Sequence, residues 1–270
     1  MNYKKRFGQN FISDANFLKS LAALAGITAD DEVLEIGAGA GGLTSALAAA
    51  ARKVVSYEID RELKPTLDAL CFPNLTVIYK DIMKEDDAAI KARFSGPFKL
   101  AANLPYYITT PVIFKFLRRD SGVSEMALMV QKEVAERITA NADSKDYGAL
   151  TVAVNTAADT RILKHVNRKL FYPVPNVDSC FISIKMNPDK YKIKDSETLD
   201  KLIRSAFSMR RKTLVNNLIS GFSLSREKAE TLLAGLEINI SARGETLPPE
   251  KFVGLANMIF KEMNKEQSDG

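Results

Sequence analysis

The sequence is poor in the residues that carry much of protein chemistry. Among its 270 residues it has no tryptophan, one histidine and two cysteines. Cys71 and Cys180 stand far apart and have no second ligand pair beside them, so neither a disulfide framework nor a zinc site is supported. With His165 as the single histidine, histidine-based catalysis is disfavoured. We therefore expect no metal, and chemistry that depends on a cofactor or on carboxylate, amide and aromatic groups.

The sequence also lacks a long apolar run. The longest apolar stretches, around Leu43 to Ala51 and Ala149 to Ala158, are too short or too polar at their flanks to cross a bilayer. The basic N-terminus runs into Gly8, Gln9 and Asn10 rather than into an apolar segment. We expect a soluble cytoplasmic protein without a membrane partner, and a monomer.

Charge is ordinary in amount but locally clustered. Charged residues make up 26% of the chain and hydrophobic residues 46%, with a formal net charge of +5. Such a charge permits a polyanionic partner without requiring one. The basic clusters are Lys4 to Arg6, Arg118 with Arg119, Arg161 to Lys169, and Arg210 to Lys212. Each cluster fits either a solvated face or a nucleic-acid contact.

From Glu32 to about Gln131, short β-rich runs alternate with helical patterns. This alternation predicts an α/β fold in which helices cover both faces of a parallel sheet. The predicted strands are Glu32 to Ile36, Lys53 to Ile59, Leu75 to Tyr79, Phe98 to Ala102 and Glu125 to Val130. The predicted helices between them are Leu43 to Ala51, Arg61 to Leu70, Glu85 to Phe94 and Pro111 to Arg119, with Pro111 in the first turn.

The later part of the chain changes from strands to helices. After a helix at Lys132 to Ala140, we predict two more strands of the same sheet, Tyr147 to Ala157 and Val177 to Met186, with Thr160 to Arg168 connecting them. A polar linker covers Asn187 to Glu197. The predicted helices beyond it are Thr198 to Asn217, Ser225 to Ala234 and Pro249 to Asn264. The sequence thus predicts a catalytic domain at 1–187 and a small all-helical domain at 195–270.

A glycine-rich turn follows the first strand. Gly37, Gly39 and Gly42 match the G-x-G-x-x-G spacing between a strand and a helix. Glycine allows a tight turn and close approach of a ligand, and a helix N-terminus favours negatively charged groups. Alone, this match is a weak signal.

Carboxylates follow the next two strands. Glu58 suits a ribose diol and Asp81 suits an adenine amino group; alternatively, Glu58 caps the following helix and Asp81 ends its strand. With the glycines, they indicate an adenosine-containing cofactor and leave open whether it is NAD or S-adenosylmethionine.

The segment Asn103, Leu104, Pro105 and Tyr106 follows the fourth strand. An exocyclic adenine amine is a poor nucleophile because its lone pair is delocalised into the ring. Pro105 stiffens the turn that holds the Asn103 side-chain oxygen and the Leu104 carbonyl. These two oxygens can localise the lone pair by accepting hydrogen bonds from the N–H groups of the amine. Tyr106 offers a stacking face to an unstacked base. The alternative is a simple turn.

Two later residues each allow two interpretations. Phe171, in a proline-rich loop, either stacks on the other face of the base or anchors the core. Cys180 invites a cytosine-C5 mechanism, which needs a thiolate nucleophile, but its place in an apolar β-run favours a small core residue.

Taken together, these motifs resemble the ribosomal RNA adenine dimethyltransferase family, and within it the bacterial small-subunit enzymes. The resemblance runs almost from end to end. The segments that carry it are Gly8 to Phe11, Glu35 to Gly39, Glu58 to Asp60, Asn103 to Tyr106, Gln131 to Val134, Tyr147 with Gly148, Phe171 to Ser179, and Arg210 to Thr213. It implies a Rossmann-like class I methyltransferase fold that uses S-adenosylmethionine to dimethylate N6 of two adjacent adenines near the 3′ end of small-subunit RNA.

The resemblance also implies residue roles. The cofactor contacts would be Asn10, Ile12, Gly37, Gly39, Glu58, Asp81 and Asn103. Tyr106 and Phe171 would sandwich the adenine. Tyr107 departs from the asparagine that related enzymes often carry, and we do not expect the change to abolish activity.

A basic helix from Phe207 to Leu214, which contains Arg210, Arg211 and Lys212, also resembles the small-subunit enzymes. Such a helix can bind RNA phosphates with little sequence information. We expect the partner to be small-subunit RNA, recognised by its shape within an immature subunit. The alternatives are a large-subunit adenine methyltransferase of the antibiotic-resistance type, against which Leu104 counts, an assembly factor that mainly binds, and a nicotinamide oxidoreductase.

Overall fold

A computed structural model describes residues 10–209 and 211–268 of the chain. Within these ranges the chain forms nine strands and eleven α-helices. The strands are β1 (Phe11–Ile12), β2 (Glu32–Ile36), β3 (Lys53–Tyr57), β4 (Leu75–Ile78), β5 (Phe98–Asn103), β6 (Val123–Gln131), β7 (Ala158–Val166), β8 (Phe171–Tyr172) and β9 (Ser179–Met186). The helices are α1 (Ala15–Leu24), α2 (Gly42–Ala50), α3 (Lys64–Asp68), α4 (Asp87–Lys91), α5 (Tyr106–Phe116), α6 (Lys132–Ile138), α7 (Ala149–Ala157), α8 (Ser196–Ser208), α9 (Leu214–Phe222), α10 (Arg226–Ala234) and α11 (Pro249–Ser268).

Seven strands form one sheet in the order β4, β3, β2, β5, β6, β9, β7. The five strands from β4 to β6 run parallel, and β9 is antiparallel to β6. All five residues of β2 are buried, as expected for a strand covered on both faces. The chain order reverses between β2 and β5, and at such a point open α/β sheets bind ligands beyond the carboxyl ends of their strands. The predicted α/β sheet is confirmed.

A second, two-stranded sheet joins the N-terminal segment to the segment before β9. In it β1 pairs with β8 in antiparallel register, with Phe11 opposite Tyr172 and Ile12 opposite Phe171. Ile12 and Phe171 are buried in one apolar cluster that also includes Leu18. The pairing therefore fixes residues from Phe11 onward against the core.

Helix α1 shows how the local sequence sets this packing. The Asp14 side chain accepts the backbone N–H groups of Asn16 and Phe17, which satisfies two donors at the helix start. Leu18 and Leu21, three residues apart, are buried on the face that packs against α2. Each fully buried leucine contributes about 1.5–3 kcal/mol of hydrophobic stabilisation.

The chain divides into two compact units. The first contains the residues before 136 together with Asp159–Met186, and the second contains Glu136–Ala158 and the residues from Asn187 onward. In the second unit α7 packs against α8 and α11, and the Tyr147 hydroxyl donates to the Leu247 carbonyl at 2.6 Å. The predicted catalytic domain, 1–187, included Glu136–Ala158, but this segment belongs to the second unit. The division of function between 1–187 and 195–270 stays a prediction.

The predicted strand Tyr147 to Ala157 is wrong, since Ala149–Ala157 forms helix α7. Its apolar run shows no clear period because the helix is buried on most sides, and its alanines favour a helix. Thr151 fixes its first turn by accepting the Gly148 N–H at 3.1 Å. The sheet is extended instead by Ala158–Val166, which we predicted as a connection.

The predicted helix Thr198 to Asn217 is two helices. Helix α8 ends at Ser208 and α9 begins at Leu214, after Thr213 takes an extended conformation with ψ of 158°. The predicted basic helix Phe207 to Leu214 is therefore mostly a connection, which holds Arg211 and Lys212. Arg210 lies outside the described residues.

Helix α5 begins earlier than predicted, at Tyr106, so Pro111 lies inside the helix rather than in its first turn. Because proline has no N–H, the carbonyl of Tyr107 receives no hydrogen bond from residue 111. Among the helices that the structure describes, none is long and apolar enough to cross a membrane.

Candidate active site

A pocket opens at the carboxyl ends of the parallel strands. Its walls include nine residues for which the sequence predicted a role in binding or catalysis, namely Asn10, Ile12, Gly37, Gly39, Gly42, Glu58, Asp81, Asn103 and Pro105. They also include Phe11, Ile59, Lys80, Ile82, Tyr107 and Ile108, to which the sequence analysis gave no pocket role. The structure thus brings the predicted cofactor residues together around one cavity.

The glycine turn forms one wall of this pocket. Gly37 and Gly39 have φ of +78° and +55°, a region that residues with a Cβ rarely adopt. A Cβ on Gly39 would lie 2.9 Å from a ring carbon of Phe11, whereas a Cβ on Gly37 would meet nothing within 4 Å. Glycine at 39 therefore admits Phe11, and glycine at 37 leaves space beside the turn.

Glu58 lies just after β3 and is buried. Its Oε2 accepts the Gly39 N–H and its Oε1 accepts the Asp60 N–H, both at 2.8 Å. The two bonds hold the carboxylate against the glycine turn. Since an ionised carboxylate oxygen can accept more than one hydrogen bond, Glu58 retains capacity for a hydroxyl donor. Glu58 does not cap the following turn, Arg61–Leu63, because the Asp60 side chain does so by accepting the Glu62 N–H.

Asp81 lies three residues after β4 and caps a short 3-10 turn, Ile82–Lys84. Its Oδ1 accepts the Met83 N–H at 3.0 Å, and its Oδ2 lies 4.0 Å from the Lys84 ammonium. Ile59 and Ile82 line the pocket near it. Apolar side chains beside a carboxylate suit a flat base that carries an amino group.

Asn103 is the last residue of β5, and its side chain reaches the N-terminal segment. Its Nδ2 donates to the Asn10 carbonyl at 3.0 Å, which leaves the acceptor Oδ1 for another partner. Leu104 is buried, and Pro105 precedes α5 with φ of −54° and ψ of 133°. The turn is thereby held from both sides, by the core at Leu104 and by Asn10 at Asn103.

Tyr106 is half-buried at the start of α5. Its hydroxyl pairs with the Ser179 hydroxyl at 2.9 Å, and burial raises the pKa of Tyr106. The phenol is therefore neutral near pH 7. Tyr106 is not among the residues that line this pocket, although Pro105 and Tyr107 on either side of it are. No local sequence pattern predicts the pairing of Tyr106 with Ser179. Ser179 was named only as the end of the segment Phe171 to Ser179, one of those that carry the family resemblance.

Phe171 and Cys180 both lie in the core. Phe171 is 2% exposed and packs in the cluster that contains Ile12 and Phe181. In the structure Phe171 is a core residue, as the second of its two interpretations had it. Stacking on a base stays a prediction, and it requires a movement of the β1–β8 pair that exposes the ring. Cys180 is fully buried in β9, as expected of a core residue.

Glu35 is a buried carboxyl directly before the glycine turn. The Ser56 hydroxyl donates to its Oε2 at 2.6 Å, and the hydroxyls of Ser56 and Thr44 both lower the pKa of the carboxyl, by less than burial raises it. Burial raises the pKa of Glu35 to about 7, with the charge of Glu58 acting in the same direction. Glu35 has no predicted role of its own, since its position in an apolar strand identifies it only as buried.

The predicted RNA-binding residues Arg211 and Lys212 are exposed in the connection between α8 and α9. Arg210 falls in the gap of the description. No group of three histidine, cysteine, aspartate or glutamate side chains that could hold a metal ion is present in the residues described.

Comparison with known proteins gives a consistent set of relatives. A family model described as ribosomal RNA adenine dimethylase matches residues 1–261. A protein of Clostridioides difficile named ribosomal RNA small subunit methyltransferase A is 42% identical over 269 residues, covering 98% of this chain and 93% of the relative. A protein of the same name from Caldanaerobacter subterraneus is 43% identical over 266 residues, covering 96% of this chain and 98% of the relative.

Two solved structures are similar over most of the chain. A dimethyladenosine transferase from Plasmodium falciparum has a TM-score of 0.80 and 27% identity, covering 93% of this chain and 98% of that one. The 23S rRNA methyltransferase ErmE has a TM-score of 0.69 and 26% identity, covering 93% of this chain and 100% of that one.

Proposed function

The chain belongs to the ribosomal RNA adenine dimethylase family, and from that membership we propose the reaction it catalyses. It is a methyltransferase that converts two adjacent adenines near the 3′ end of small-subunit RNA to N6,N6-dimethyladenine. The small-subunit name of its relatives favours this substrate over large-subunit RNA and over a role limited to binding. The higher TM-score to the dimethyladenosine transferase than to the 23S enzyme points the same way.

We propose that the pocket binds S-adenosylmethionine. Glu58, fixed by two backbone N–H groups, would accept the ribose hydroxyls, and Asp81 would accept the adenine amino group. The open space beside Gly37 suits close approach of a ligand to the backbone. When bound, the cofactor supplies a methyl group on a positively charged sulfur. The fit of this donor set to an adenosine with a diol supports the assignment.

The observation that carries the mechanism is the orientation of Asn103. Because its Nδ2 donates to the Asn10 carbonyl, its Oδ1 can accept one N6–H of the target adenine. In the first transfer the Leu104 carbonyl would accept the other, so the two bonds turn the nitrogen lone pair out of conjugation. Tyr106 would replace the stacking that an unstacked base loses. The methylated amine is cationic and releases its proton readily, so these residues need no basic side chain.

The substrate in this proposal is small-subunit RNA within an immature subunit, in the cytoplasm, and the enzyme acts as a monomer. Arg211 and Lys212, exposed on the helical unit, would contact RNA phosphates. Phosphate contacts contribute affinity that declines with salt and leave selection of the adenine to the pocket. The domain at 195–270 would thus contribute RNA binding and the domain at 1–187 the reaction.

Asn103→Ala tests the proposal. We expect it to retain binding to small subunits that lack the modification and to lose methyl transfer by about 10²-fold or more, as when one oriented hydrogen-bonding group is removed from an active site. Mass spectrometry of nuclease digests measures the product, and Asn141→Ala, at an exposed position, serves as the control. Full transfer by Asn103→Ala contradicts the mechanism. Binding of NAD without binding of S-adenosylmethionine in isothermal titration contradicts the cofactor.

A further inference from the structure

Helix α5 has an apolar outer face. Its inner face carries Thr109, Val112, Ile113 and Phe116, all buried, and the helix packs on β6. The opposite face carries Tyr107, Pro111 and Phe114 at helical spacing, followed by Arg118 just beyond the helix end. Tyr107 is 62% exposed and Phe114 is 44% exposed. We call the row formed by Tyr107, Pro111, Phe114 and Arg118 the α5 ledge. A surface helix normally places polar residues on its outer face, so an exposed apolar row of this kind indicates a binding surface.

We propose that the α5 ledge binds the single-stranded RNA segment that delivers the target adenine. Tyr107 and Phe114 stack on bases beside the target, and Arg118 and Arg119 contact phosphates further along the strand. The inference rests on the proposed function and adds an RNA-positioning surface next to the cofactor pocket.

The ledge is continuous with the candidate active site. Tyr107 lines the pocket together with Asn103 and Pro105, so the ledge begins where the target base must enter. At 1.5 Å per residue, Tyr107 and Phe114 are about 10 Å apart along the helix. That distance corresponds to roughly three stacked nucleotides at 3.4 Å each, so the two rings can stack on different bases of one strand.

The charge at the far end of the ledge favours RNA over an apolar protein partner. Arg118 and Asp120 pair at 3.3 Å, but both side chains are 64% exposed, and such pairs contribute little. Arg119, the next residue, is also exposed, so two arginine side chains lie at this end of the ledge. Aromatic rings in line with arginines are the combination that binds single-stranded nucleic acid.

The test compares Phe114→Ala, Tyr107→Ala and Tyr107→Phe in methyl transfer to unmodified small subunits. Loss of one stacked base costs about tenfold in affinity, so each alanine variant should raise the KM for subunits about tenfold and change kcat less than twofold. Tyr107→Phe keeps the ring and should behave like the parent chain. Leu24→Ala, which shortens an exposed apolar side chain at the end of α1, is the control and should have no effect.

Salt dependence tests the cationic end of the ledge. Arg118→Ala with Arg119→Ala should reduce the slope of log affinity against log salt concentration by about 1.4, since each phosphate contact on a single strand contributes about 0.7. If this slope is unchanged and the alanine variants of Tyr107 and Phe114 have an unchanged KM for subunits, the proposal that the α5 ledge binds RNA is refuted.

Two further outcomes also refute it. If Tyr107→Ala raises the KM for S-adenosylmethionine and leaves the KM for subunits unchanged, Tyr107 acts on the cofactor and does not bind RNA. If the variants are impaired on whole subunits but bind a protein-free RNA fragment of the target region normally, the ledge contacts a ribosomal protein. Failure of the proposed function is distinct, because in that case the unsubstituted chain itself transfers no methyl group.

Discussion

Replacing Glu35 with glutamine removes an ionisable group beneath the glycine turn and nearly preserves its shape. Burial raises the pKa of Glu35 from 4.5 to about 7 in the folded chain. The folded state therefore binds this proton more tightly than the unfolded state does. The resulting stability is complete below pH 4.5, declines as the pH rises and is lost above about pH 7. At about 1.36 kcal/mol per pKa unit, the decline between about pH 5 and pH 8 is on the order of 2–3 kcal/mol.

Glutamine has no proton to release in this range. The free energy of unfolding of Glu35→Gln, measured relative to the parent chain, should therefore rise by on the order of 2–3 kcal/mol between about pH 5 and pH 8. Urea unfolding followed by circular dichroism at both pH values measures this difference. Glu227→Gln, at an exposed position of α10, is the control and should leave the difference constant. A constant difference for Glu35→Gln would refute the buried, high-pKa carboxyl.

Three further changes have defined outcomes. Gly39→Ala places a Cβ 2.9 Å from an aromatic carbon of Phe11 at a φ of +55°. The free energy of unfolding should therefore fall by about 1–2 kcal/mol, and the affinity for S-adenosylmethionine measured by calorimetry should weaken. No change in either quantity contradicts the turn geometry. Tyr106→Phe removes the hydroxyl paired with Ser179 but keeps the ring, so the free energy of unfolding should fall by about 1 kcal/mol while methyl transfer persists. If Tyr106→Phe loses as much methyl transfer as Tyr106→Ala, a stacking role is contradicted. Combined Arg211→Ala and Lys212→Ala should reduce the salt slope of subunit binding by about 1.4 if both contacts are to single-stranded RNA, and an unchanged slope excludes phosphate contacts there.

The sheet was predictable because its strands carry strong local signals. Lys53–Tyr57 and Leu75–Ile78 are short apolar runs bounded by polar residues and turns, and the structure ends each of them within two residues of the prediction. The helical unit was harder to predict. Ala149–Ala157 is apolar on most sides because it is buried, and its composition alone does not distinguish a buried helix from a buried strand.

The candidate site was predictable where it depends on strand ends. Parallel strands end at one edge of a sheet, so Glu58, Asp81 and Asn103 could be expected to meet around a ligand. The contact of Asn103 with Asn10 spans 93 positions of the chain, and no local pattern predicts it. Only the family resemblance assigned Asn10 to the pocket.

The most direct test of the proposed function is methyl transfer by the purified chain to small subunits that lack the modification. After incubation with S-adenosylmethionine, nuclease digestion and mass spectrometry should reveal N6,N6-dimethyladenosine at two adjacent adenines near the 3′ end of the RNA. The Asn103→Ala variant should yield none above background. Absence of this nucleoside with the parent chain, under conditions in which the chain binds both the cofactor and the subunits, would contradict the central claim.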